Sequence, residues 1–118
     1  MEPSVPEVNT LRHLIRSLCY EFLGSALMVY AFYFTFTSYL GRGFAYFIGW
    51  IIAASVSGAH FNPATSLAVY LVEGKYMRQI GRLLLYWLFQ LAGAYAGILL
   101  VYLIFKQPVL GFFLWPHI

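Results

Sequence analysis

The chain has 118 residues, a length suited to one domain, with 62% hydrophobic and only 9% charged side chains. Together with a mean hydropathy of +0.76, this composition excludes an ordinary soluble domain and points to a lipid bilayer. The net charge of +3 comes from basic residues scattered along the chain, which form no nucleic-acid patch and read as charges flanking membrane spans.

The segment Met1 to Thr10 carries Glu2, Glu7, Pro3 and Pro6 and has neither a basic n-region nor an Arg-rich amphipathic pattern. Neither a secretory signal nor a transit peptide is expected from it. The first apolar run, 14–36, is long enough to cross about 30 Å of hydrocarbon and holds Glu21 within it. A polar patch from Thr37 to Gly43 predicts a tight turn. The following run, Phe44 to Val56, is short for a span, so the second span is placed at 39–57 and borrows residues from that turn. The last run, 83–105, is uncharged and predicts a third span.

Between the second and third spans lies Ser57-Gly58-Ala59-His60-Phe61-Asn62-Pro63-Ala64, which has apolar sequence on both sides. Asn62 is a favoured helix N-cap, Pro63 suits the first helical position, and Gly74 can close a helix end in the left-handed conformation. The helix so bounded, 62–72, is about 15 Å long, half a bilayer. It must enter and leave on one side. Irregular backbone at membrane depth survives only where it is buried in protein or lines a polar path, and a helix starting there aims its free N–H groups at that path. The segment therefore reads as a site.

Basic residues set the expected orientation. Arg12, Arg16, Lys75, Arg78 and Arg82 fall on the side of the N-terminus and the half-helix exit, against Arg42 and Lys106 on the other. The positive-inside rule then places the N-terminus in the cytoplasm or the mitochondrial matrix. The tail 106–118 is apolar, aromatic and broken by Pro108 and Pro116, and is expected to lie in the interface or dock on a partner.

Three motifs in order resemble the major intrinsic proteins, the aquaporin and aquaglyceroporin family: Tyr20-Glu21-Phe22-Leu23-Gly24, the Ser57–Ala64 segment, and Tyr86 to Ala94. The resemblance implies an all-α membrane protein of three spans plus one re-entrant half-helix, a single N-terminal-type repeat where family members carry two. It further implies that Asn62, Pro63 and Ala64 are the pore motif and that Gly58, Ala59 and His60 turn backbone carbonyls toward the path. Glu21 would accept backbone N–H groups of the His60 loop, and Gln90 would hold the loop from its other side. Thr65-Ser66 stands where the family commonly has Val-Thr.

Gly24, Gly49, Gly93 and Gly97 are expected at helix-packing faces, where small residues let backbones approach. His13, His60 and His117 are expected to sit far apart, and with Cys19 alone no metal set or disulfide is expected. No nucleophile–base pair or phosphate loop suggests an enzyme. With no second Asn-Pro-Ala to complete a path, the expected role is a structural or accessory subunit of a larger membrane complex, with the mitochondrial inner membrane as one host. The alternative is one half of a split water or glycerol channel completed by another chain. No cofactor is expected. Bound lipids and other membrane subunits are expected partners, covering the Asn62 groove and the tail.

Overall fold

The computed structural model describes residues 7–35 and 38–106, and these form four α-helices: α1 (Glu7–Phe34), α2 (Tyr39–Ser57), α3 (Pro63–Glu73) and α4 (Tyr76–Phe105). Among the described residues α1, α2 and α4 are long and apolar enough to cross a membrane, so the chain is an all-α membrane protein. The expected tail beyond Lys106 and the residues before Glu7 lie outside the described residues.

Each helix boundary has a local cause. Ser38 caps α2, its side chain accepting from the Gly41 N–H, so the turn predicted at 37–43 closes by Ser38 and Gly41 and Gly43 fall inside the helix. α2 ends where Gly58 takes φ 90° and donates its N–H to the Ala54 carbonyl. α3 has 11 residues, capped by Asn62 with Pro63 in its first turn, and it ends at Gly74 with φ 68°. α1 and α4 start seven residues before the apolar runs at 14 and 83, because neither Glu7–His13 nor Tyr76–Arg82 holds a proline and the single glycine, Gly81, is tolerated within α4. At 28 and 30 residues they outreach the hydrocarbon core, being about 42 and 45 Å long.

α1 is the centre of the bundle, packing against α2 on one side and α4 on the other, while α3 leans on α4. The α1–α4 contact is close because glycines face it. A Cβ on Gly93 would overlap the Phe22 carbonyl, and one on Gly97 would come within 2.6 Å of the Ala26 carbonyl oxygen. Gly24 and Gly49 admit a loop side chain as well as helix contact, since a Cβ on Gly49 would also lie 3.3 Å from Met28 Cε of α1. Together they leave a socket between α1 and α2 that the ring of Phe61 fills, 3.1 Å from where a Gly49 Cβ would lie. The buried residues of α2 are Gly49, Ala53 and Ser57, a row of three small side chains at intervals of four residues.

Candidate functional site

The loop 58–62 is built around one carboxylate. Glu21, on α1, is fully buried and accepts four hydrogen bonds. Its Oε1 takes the Ser57 hydroxyl at 2.7 Å and the His60 N–H at 3.0 Å, and its Oε2 takes the Phe61 N–H at 2.7 Å and Gln90 Nε2 at 2.8 Å. Four donors fill the acceptor sites of both oxygens. A carboxylate inside a span is costly unless so satisfied.

The same network decides where the loop's backbone groups go. Gly58 donates to the Ala54 carbonyl, Ala59 to the Ser57 hydroxyl at 3.1 Å, and His60 and Phe61 to Glu21. Every N–H from 58 to 61 is therefore held inward. Bending the chain this tightly puts two non-glycine residues in the left-handed region, Ala59 at φ 52° and Phe61 at φ 55°. The Phe61 carbonyl accepts from Ser25 Oγ at 3.1 Å and the Asn62 carbonyl from the Ser66 N–H. Among the described residues no donor reaches the carbonyl oxygens of Gly58, Ala59 and His60.

Asn62 Oδ1 accepts the Ala64 N–H at 2.8 Å, which caps α3 and leaves the amide Nδ2 without a partner among the described residues. Pro63 is held through its carbonyl, which accepts from Trp87 Nε1 at 3.0 Å. Ala64 is exposed. Gln90 differs from its expected role. It does not touch the loop backbone; its Nε2 bridges Glu21 to the Ser66 hydroxyl, 2.8 Å away, and so ties α1 to α3. Its Oε1 is buried without a partner among the described residues.

Two hollows flank the loop. One, of about 240 Å³, is lined by His13, Ser57, Gly58, His60, Arg82 and Tyr86 among others. The second, of about 390 Å³, is lined on its polar side by Ser25, Asn62 and Gln90 and on its apolar side by Met28, Val29 and Leu91. His13 and His60 both line the first, although their elements are expected to sit far apart. α1 runs far enough past its apolar segment to bring His13 to the half-helix exit. His60 itself is held through Nδ1 by Ser66 Oγ at 3.0 Å, and its ring lies 5.3 Å from that of Tyr86. Among the described residues no group of three His, Cys, Asp or Glu side chains gathers.

Several residues that hold the site were given no role by sequence. Tyr86 donates to the Ser57 carbonyl at 2.7 Å and receives Arg82 at 3.0 Å. Ser17 ties α1 to the Val56 carbonyl at 2.9 Å. Ser25, Ser66 and Trp87 complete the set. A signal was present: Ser17, Glu21 and Ser25 recur every fourth residue on α1, as do Arg82, Tyr86 and Gln90 on α4. Polar rows in apolar helices mark the faces that meet.

The family model for the major intrinsic proteins matches residues 7–114. Among curated proteins, the chain is 37% identical over 76 residues to Aquaporin-1 of Rhizopus delemar, covering 64% of this chain and 24% of that protein. It is equally identical over the same length to Aquaporin-2 of that organism, covering 23% of it. The chain thus spans about a quarter of the length of these curated relatives. No solved structure matches it at a significant level.

Proposed function

This chain belongs to the major intrinsic protein family, and from that premise we propose that it forms one wall of a membrane path for small neutral solutes such as water or glycerol. The observation that carries this reading is the position of the loop between two hollows. Gly58 and His60 line one, Asn62 and Pro63 line the other, and a solute moving between them would pass the carbonyl oxygens of Gly58 and His60 and the Asn62 amide, all without a partner among the described residues. Acceptors in series with one donor replace a solute's hydration shell without offering it a fixed charge. The hollow at Asn62 is open, so the wall conducts only when covered, and the repeat by itself is not a channel. The cover is either further polypeptide of the same protein or a separate chain.

A second reading, an accessory subunit of a larger membrane complex that passes no solute, draws support from α2. Apart from the Tyr86 hydrogen bond to its last residue, Ser57, that helix packs on α1 alone among the described helices, and its outer face carries Phe44, Phe47, Ile48, Ile51 and Ile52 exposed. In this reading other membrane subunits cover the Asn62 groove, and an inner membrane such as that of mitochondria is the host. In both readings the excess of basic residues at the start of α1 and α4 favours an N-terminus on the cytoplasmic or matrix side.

Cross-linking from Asn62→Cys in a Cys19→Ser background, in the source membrane, identifies the cover. Vesicles holding the chain with that cover are then shocked osmotically in a stopped-flow instrument. Shrinkage well above that of lipid alone, abolished by Asn62→Phe, supports the path. Vesicles as tight as lipid alone overturn it in favour of the accessory role.

A further inference from the structure

We propose that the end of the bundle where α1 and α4 begin binds the headgroups of anionic phospholipids through a collar of Arg12, Arg16, Lys75, Arg78 and Arg82. The inference does not depend on whether any solute passes the loop. All five residues are exposed. Among the described residues Arg12, Arg16, Lys75 and Arg78 have no ion pair and no side-chain hydrogen bond, and Arg82 spends only one donor, on Tyr86. The two helices meet at this end, because His13 of α1 and Gln79 and Arg82 of α4 line the same hollow. Glu73, also on that hollow, is the only acidic side chain described at this rim.

Depth selects a lipid headgroup over a soluble partner. The uncharged part of α4 starts at Leu83 and already fills the hydrocarbon thickness by Phe105, since 23 residues rise about 34 Å. The turns from Lys75 to Arg82 therefore lie in the headgroup layer. Their side chains are sorted to suit it. Lys75, Arg78 and Arg82 share one face at spacings of three and four, while Met77, Ile80 and Leu84 share another and are 93%, 42% and 53% exposed. One face meets phosphates as the other enters acyl chains. The cations also stand at the positive end of the α4 dipole, with no acidic residue in the first turn and no side-chain cap from Lys75. An external anion relieves that repulsion.

The test uses the full chain in detergent micelles, mixed with equal amounts of phosphatidylglycerol and phosphatidylcholine, and native mass spectrometry counts the lipid each protein retains. The wild type is expected to prefer phosphatidylglycerol, and Lys75→Gln with Arg78→Gln to reduce that preference about thirtyfold, since each basic residue near the surface contributes roughly 1 kcal/mol. Arg12→Gln with Arg16→Gln is expected to reduce it similarly, and Lys106→Gln, at the other end, to leave it intact. Circular dichroism checks that each variant keeps its helices. No preference in the wild type overturns the proposal, as does a preference that Lys106→Gln reduces equally. Full displacement of the lipid by millimolar glycerol phosphate also overturns it, in favour of a free-phosphate site.

Discussion

The ring of Phe61 occupies the space that a side chain on Gly24 would need, and this contact fastens the loop 58–62 to the first span. Phe61 comes from a loop in left-handed backbone geometry, 37 positions further along, and is itself only 7% exposed. Gly24→Ala would drive the ring out of its socket or the helices apart. Overpacking of this kind costs about 1–3 kcal/mol. Thermal unfolding in detergent should register that loss for Gly24→Ala. Gly43→Ala should be neutral or stabilising, because open space surrounds Gly43 in α2.

Glu21→Gln tests the knot at the centre of the loop. The carboxylate accepts four donors, and an amide in its place offers one acceptor oxygen and turns an NH2 group toward donors on the other side. Leaving donors unmatched in a buried site costs about 2–4 kcal/mol. Hydrogen exchange should reveal where: the amides of His60 and Phe61 should lose their protection first, while those in mid-α4 stay slow.

Tyr86→Phe removes the donor to the Ser57 carbonyl and leaves Arg82 without its acceptor. A loss of about 1–2 kcal/mol is expected. Ser17 holds the adjacent Val56 carbonyl from the opposite side, so Ser17→Ala with Tyr86→Phe should show coupling in a double-mutant cycle of unfolding free energies. Additive losses would mean that the end of α2 is not held as one unit.

Two substitutions separate the two jobs of Asn62. Asn62→Ala deletes the cap on α3 and should cost about 1 kcal/mol, whereas Asn62→Ser keeps an oxygen for the Ala64 N–H without adding a charge at membrane depth and should be near neutral. If the amide Nδ2 serves a passing solute, Asn62→Ser should nevertheless impair flux through the covered protein in stopped-flow measurements. Equal flux would leave Asn62 a capping residue only.

How much of this was legible before the coordinates depends on how local each feature is. The caps of α3 follow from Asn62, Pro63 and Gly74 directly, because capping is decided within a few residues. The spans are visible in hydropathy, yet the extra turns of α1 and α4 are not, since basic residues continue a helix without looking like membrane. Those turns carry His13 to the hollow that His60 also lines. Gly24 and Gly49 read as helix-packing positions, and Gly49 does face Met28 of α1, but the Phe61 ring that fills the space between them is not visible in sequence, because a small residue in a span announces a close approach without naming what approaches. Gln90 was assigned to the loop, when its amide reaches Glu21 and Ser66. A side chain's target across 69 positions is a tertiary fact.

That distance has a consequence for how the protein is made. Glu21 enters the membrane with the first helix, but its donors arrive with residues 57, 60, 61 and 90. Until the fourth helix leaves the ribosome, the first carries an acid with no complete set of hydrogen bonds, and its release into lipid is disfavoured. Retention of the first helix at the insertion machinery or in contact with water is therefore favoured until α4, made after the other three described helices, arrives. One carboxylate thus couples the settling of the first described helix in the bilayer to the arrival of the fourth.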